Sequence, residues 1–418
     1  MPWGWWEERV IYKLSRLAVM AAWLLLLGCA SVPPQSSLSV AERDRILSGS
    51  AFVADGAKPQ SGDAISAGAA EYVGAVSSDL SPATDIDTMS QQVLALNDDM
   101  RLFVDLYVDK DSNTATRLRD LLQAIFHSGT MGLEYDPLKT FNAADTFFLQ
   151  QGNCLSFTNM FVALGREAGL KVSFNEVSVP PTWDMHSAST HVYYRHMNAV
   201  VQTSRGRHIV DLNMENYDVD YPQRRVSDEY AMAQFFNNRA MELLFEERWQ
   251  ASFQHLRAAI ELEPEQTFLW GNLGSLYRRI GHFDEAELAF RQALSLDSRN
   301  LMAMSNLSRL YRQMDRIAEA EIYDQKVVYH RKKNPYYRYH QAQEALQARQ
   351  LDIAQGHIKA AILAYDKDHR FYFLAARIDT AMGNRSRAQR YLQRAADLTR
   401  DTEQKARYNR KLDLLAAR

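Results

Sequence analysis

Cysteine is almost absent from this chain: Cys29 and Cys154 are the two among 418 residues. With no Cys/His cluster at zinc-ligand spacing, the sequence offers no structural zinc site. A P-loop and a dinucleotide-binding glycine fingerprint are also missing, so neither a metal nor a cofactor is expected. No charge of one sign dominates. A formal net charge of −3 gives no global field for nucleic acid or an anionic lipid surface. Long apolar runs are lacking too: "LAVMAAWLLLLG", residues 17–28, is shorter than the about 20 residues a helix needs to cross a bilayer. What remains, 46% hydrophobic and 24% charged residues, is ordinary for globular protein and long enough for two or three domains.

The apolar run follows a basic stretch carrying Arg9, Lys13 and Arg16, the order of a targeting segment. It ends in Leu26-Leu27-Gly28-Cys29, which resembles the lipobox of bacterial lipoproteins. That resemblance implies removal of residues 1–28 and lipidation of Cys29. Because Ala30 rather than Asp follows, it also implies the periplasmic face of the outer membrane. Cys154 is then left without an intramolecular partner in an oxidising compartment. Residues 29–85, rich in Ser, Ala, Gly and Pro, read mainly as a flexible tether with room for one short helix.

Helical periodicity follows over 87–107 and 114–127, and "YDPLKT" interrupts it. The period then shortens: 171–177, 191–203 and 207–213 alternate and are rich in Val, Ile and Tyr, as strands are. Ser204-Arg205-Gly206 reads as the turn of a hairpin. An α+β domain over 86–228 is expected.

From 233 to 400 the pattern is helical and repeats every 34 residues. Small residues recur at Ala240, Gly274, Ser308, Ala342 and Ala376, and at Ser252, Ala286, Ala320, Ala354 and Ala388. Ala259, Ala293, Val327, Ala361 and Ala395 form a third series. The unit from Trp270, with Leu273, Gly274, Tyr277, Gly281, Ala286, Phe290 and Ala293, resembles the tetratricopeptide consensus. The resemblance implies an all-α solenoid of five units, and residues 401–418 read as a C-terminal helix.

Cys154 begins an apolar helix. Phe157, Phe161, Leu164 and Ala168 recur at helical spacing, Gly169 is a natural stop, and Asn153 is a natural N-cap. The first turn is where unpaired N–H groups and the helix dipole favour a thiolate over a thiol. A nucleophilic thiol needs a base and a group that orients the base. His196 and Asp211 lie on successive strand segments; His191 is the second choice of base, and His208 reads as a strand-edge residue. Gly152-Asn153-Cys154, His196 and Asp211 resemble, in order and type, the transglutaminase-like superfamily, which is papain-like in its core. The resemblance implies a Cys154–His196–Asp211 triad and acyl transfer, either hydrolysis of peptide or amide bonds or cross-linking. Many members carry Trp two residues after the histidine; Asn198 stands there, which implies a different substrate-side wall.

The expectation is thus a lipid-anchored periplasmic cysteine hydrolase, a peptidase or amidase, whose repeats capture a protein. The alternative is a non-catalytic envelope scaffold acting through the repeats. Asn238, Asn272 and Asn306 fall 34 residues apart on the first helix of successive units and could pair with a peptide backbone. Arg278, Arg279, Arg309 and Arg312 fall on neighbouring positions and favour acidic side chains or a terminal carboxylate.

Overall fold

Side-chain caps decide where most of the early helices start. In the computed structural model, which describes residues 37–54, 86–137, 139–179, 182–183, 191–192, 195–212 and 219–416, four asparagines occupy N-cap positions of helices before residue 170. Asn97, Asn113, Asn142 and Asn153 each accept backbone N–H groups of the helix that follows. The leader and Cys29 lie outside the described residues.

Residues 37–54 correct the tether reading. They form helices α1 (Val40–Leu47) and α2 (Ser50–Ala54), the first opened by a capping box of Ser39 and Glu42. These helices dock on the repeats. Ile46 is fully buried, Phe52 stacks 4.7 Å from Phe253, the Tyr277 hydroxyl donates to Ile46 O at 2.5 Å, and Arg45 pairs with Glu285 at 2.6 Å. The few apolar residues here are too scattered to give a periodic signal, and their partners lie some two hundred residues along the chain.

The single helical pattern over 87–107 is two helices, α3 (Ile86–Val93) and α4 (Asp98–Tyr107), because Asn97 caps the second. Helix α5 (Thr114–Phe126), strand β1 (Glu134–Tyr135), helix α6 (Ala143–Leu149) and strand β2 (Gln151–Gly152) follow. Helix α7 (Cys154–Glu167) is buried without a break from Leu155 to Gly165 and is the centre of the domain. It packs on an antiparallel sheet of order β7-β6-β3-β8, made of β3 (Lys171–Ser178), β6 (Arg195–Thr203), β7 (Gly206–Val210) and β8 (Gln223–Arg225). The expected strand over 191–203 is divided: β5 (His191–Val192) pairs with β4 (Thr182–Trp183), and β6 starts at Arg195. Thr203 pairs with Gly206, leaving Ser204-Arg205 as a two-residue turn that needs the positive φ of Gly206.

Helix α8 (Asp228–Phe245) crosses the expected boundary at 228–233 without a linker. Tyr230 donates to Glu176 of β3 at 2.5 Å, and one apolar core runs from Ile46 through the sheet to Val327. With α9 (Trp249–Leu262) it makes the first two-helix unit. The others are α10 (Thr267–Arg279) with α11 (Phe283–Leu296), α12 (Leu301–Gln313) with α13 (Ile317–Lys333), α14 (Pro335–Gln347) with α15 (Leu351–Ala364), and α16 (His369–Ala381) with α17 (Arg385–Leu398). Helix α18 (Thr402–Ala416) ends the described chain.

All fifteen small residues of the three 34-residue series are buried. A Cβ at Gly274 would come within 2.6 Å of the Phe290 ring, so the two helices of that unit meet only because the position lacks a side chain. The backbone repeats as well: Glu247, Gly281, Asp315, Arg349 and Gly383, again 34 apart, all take positive φ between the paired helices. The solenoid returns to the sheet. Asp220 accepts from Thr399 Oγ1 at 2.6 Å and from Arg400 N at 2.8 Å, and Arg370 donates to the Tyr221 hydroxyl at 3.1 Å. Among the described residues no helix is long and apolar enough to cross a membrane.

Candidate functional site

Cys154 is the first residue of α7. Asn153 Oδ1 accepts from Leu155 N and Ser156 N, both at 3.0 Å, and fixes the helix start. Gly152 is required just before it, since a Cβ there would sit 2.5 Å from Ser156 Cβ. Ser156 is itself committed, accepting from Phe141 N at 2.8 Å. The parallel pairing of Tyr135 with Gly152 brings the Tyr135 hydroxyl to 4.0 Å from the Cys154 sulfur. Tyr135-Asp136 suits the approach to the nucleophile in the transglutaminase-like resemblance, and the parallel β-bridge is what sets the Tyr135 hydroxyl beside the thiol. Thr158, one turn into the helix, has its hydroxyl 2.6 Å from Cys154 O and 3.2 Å from Met197 O, tying the thiol's helix to the strand of His196.

His196 and Asn198 share one face of β6. Asp211 follows β7, and its Oδ2 lies 2.5 Å from His196 Nε2. That leaves Nδ1 as the ring nitrogen for the sulfur. The ligand-type atoms of Cys154, His196 and Asp211 all lie within 4.8 Å of one another. A thiolate, an imidazole and a carboxylate are also donors that zinc accepts. Here the imidazole and the carboxylate are hydrogen-bonded to each other, so Asp211 fixes the orientation of the ring.

Behind the His196–Asp211 pair stands a polar ladder that the sequence pattern does not announce. Asn198 Nδ2 donates to Asp211 Oδ2 at 3.0 Å, and Asn175 Nδ2 donates to Asn198 Oδ1 at 2.8 Å and to Gln223 Oε1 at 3.1 Å. Asn198, at the position where Trp is common in the resembled family, is fully buried and holds the carboxylate. The other candidate histidines divide. His208 is exposed beside Thr203, 3.0 Å from its hydroxyl, and the His191 side chain lies outside the described residues.

Burial alone would lower the pKa of His196. Hydrogen bonds and electrostatic attraction to Asp211 and Cys154 outweigh it and push the ring up to about 10 from an ordinary 6.5. The protonated ring is favoured by the fold, so its contribution to stability is complete below 6.5 and is lost as pH rises through about 10. NMR of the ring nitrogens is expected to show a midpoint near 10, and Asp211→Asn to bring it down. A midpoint near 6.5 in the unaltered protein would separate the histidine from both partners.

Cys154, His196 and Tyr135 open into a cavity of about 970 Å³ that continues along the first helices of the repeats. Asn238, Asn272, Asn306, Arg278, Arg279 and Arg309 all line it. Arg312 does not line it. It pairs with Asp324 of the second helix of its unit and donates to Ser308 at 2.9 Å, a position one turn beyond Arg309 that faces out of the groove. Two of the asparagine amides are partly engaged: Asn272 Nδ2 donates to Asn237 at 2.7 Å and Asn306 Nδ2 to Ser275 at 3.4 Å. Arg299 and Asn300, from the connection between units, complete the lining.

Tetratricopeptide repeat models match residues 267–300 and 300–333. The C-terminal region is a tetratricopeptide-repeat solenoid. No protein of curated function matches the sequence. Among solved structures, MamA (41-end) from Desulfovibrio magneticus RS-1 is 13% identical over 40% of this chain and 94% of its own, with a TM-score of 0.23. YrrB, described as a TPR protein with an unusual peptide-binding site, is 18% identical over 43% and 92%, with a TM-score of 0.23. Pseudomonas aeruginosa PilF is 16% identical over 43% and 82%, with a TM-score of 0.24. At such scores the tetratricopeptide assignment rests on the two matched repeats and the 34-residue period. Tetratricopeptide solenoids present concave surfaces suited to protein partners, and that is the function class of this region.

Proposed function

We propose that the chain is an envelope assembly protein that captures a segment of another protein in the concave groove of its tetratricopeptide repeats. The observation that carries this reading is the single cavity of about 970 Å³ running along the first helices of three successive repeats. Asn238, Asn272 and Asn306 offer amides to an extended backbone whatever its side chains. The lipobox at Cys29 supports anchoring to the outer membrane on its periplasmic face, which would hold the groove among envelope proteins. Selection from a random-peptide library against the full chain tests the groove. Selected peptides should bind about tenfold more weakly when Asn272 and Asn306 are both alanine, as the loss of two hydrogen bonds predicts. Peptides indifferent to that change would remove the groove from the function.

A second reading is favoured by one observation, the approach of Cys154, His196 and Asp211 within a wall of the same cavity. On this reading the α+β domain is transglutaminase-like (papain-like), and the captured segment is also the substrate of a peptidase or amidase. The Cys154 sulfur attacks an amide carbonyl carbon while Asp211 orients the protonated His196. The Cys154 backbone N–H is the donor for the oxyanion. His196 gives its proton to the departing amine, the C–N bond breaks and a thioester remains. Water then adds to the thioester, passing a proton to His196, and the C–S bond breaks to release the carboxylate. Cross-linking would differ only in the second step, with an amine in place of water.

A further inference from the structure

Resting on the groove reading above, we infer that the segment the repeats capture is acidic, its carboxylate side chains seated on Arg278 and Arg309 in the cavity that holds Cys154. Four arginines, Arg278, Arg279, Arg299 and Arg309, line the cavity against one carboxylate, Asp297. That carboxylate is committed to local structure, with Oδ1 accepting from Arg299 N at 2.9 Å. Elsewhere on the repeats arginines sit beside acids: Arg257 with Glu261 at 2.6 Å, Arg316 with Glu287 at 2.6 Å, Arg387 with Asp379 at 2.6 Å. Arg278 is different. Its hydrogen bond runs to a neutral acceptor, Gln313 Oε1, at 3.2 Å, and its Nε is buried without a partner.

A guanidinium in that position has unspent donor capacity, and buried donors left unpaired are costly. Burial, followed by repulsion from Arg309 and Arg279, holds Arg278 below its ordinary pKa. A carboxylate entering the cavity would give this guanidinium the acidic partner it lacks and relieve the repulsion together. Arg279, stacked near Phe245 and Trp249 at 5.8 and 6.0 Å, widens the cationic surface beside them. The repeated asparagines favour a polypeptide over other anions, because a peptide backbone supplies both donors and acceptors.

Fluorescence anisotropy with the full chain tests this with short unstructured peptides that differ only in Glu against Gln. The Glu peptide is expected to bind at least ~10-fold more tightly at low salt, with the difference shrinking as salt rises. Arg278→Gln combined with Arg309→Gln should abolish the difference, Arg278→Lys should restore part of it, and Arg312→Gln should leave it intact. Equal binding of the Glu and Gln peptides by the unaltered protein overturns the inference and leaves the groove standing. A single-stranded DNA oligomer of equal charge binding as well as the Glu peptide also overturns it, since the site would then read charge alone. If neither peptide binds, the groove reading falls and the inference with it.

Discussion

On the acyl-transfer reading, changing His196 to alanine should slow acylation of Cys154 by an activated ester by about 10³-fold or more, because members of a catalytic triad act as a unit. The reasoning is geometric. His196 bridges Asp211 at 2.5 Å and the sulfur, so its removal takes away the proton carrier and leaves the carboxylate facing a gap. Asn198 still donates to Asp211, so the carboxylate keeps one partner and the fold is expected to survive. His196→Gln, which fills more of the space, should be equally slow if proton transfer is what matters. The thioester is read directly by mass spectrometry of the Cys154 peptide. Equal rates in all three proteins would strip the site of acyl-transfer chemistry and leave capture as the activity the sequence and fold support.

Trp270→Ala should produce the largest loss of stability in the solenoid, about 3–5 kcal/mol. The indole is 1% exposed at the start of the second repeat, and its Nε1 donates to Pro264 O at 2.7 Å across the joint with the first. Truncation opens a cavity in the core shared by the sheet and the first three repeats, and it leaves that carbonyl without its donor. Trp249→Ala, at a half-buried position, should cost clearly less. Urea unfolding of the two variants provides the comparison. A loss at Trp270 no greater than at Trp249 would mean that the joint is not packed as described.

The solenoid is legible in the sequence because its packing demand is periodic. A residue large enough to collide with the second helix is excluded every 34 positions, and Gly274 against Phe290 shows the collision avoided. The turns between the paired helices are less legible. Glycine marks the left-handed position at Gly281 and Gly383, but Glu247, Asp315 and Arg349 adopt the same conformation under residue types that give no hint of it. The order Cys154, His196, Asp211 is readable from residue type. The ladder of Asn175 and Asn198 is not, because it depends on the pairing of β3 with β6, which sets those two residues opposite each other. Docking of residues 37–54 is equally silent: Ile46 and Phe52 look incidental until Tyr277 and Phe253 are beside them. Arg312 shows the reverse error, a charge assigned to the groove by spacing and turned away by a local acid, Asp324.

A tetratricopeptide superhelix with a free end behaves as a spring, lengthening or tightening as a partner settles into it. This one is tethered at both ends. Its first helix grows out of the sheet, and its fifth repeat is fastened through Thr399, Arg400 and Arg370 to Asp220 and Tyr221, shortly downstream of Asp211 in the chain. Fixed at both ends to the same α+β domain, the repeat array has less freedom to change its pitch than a solenoid held at one end.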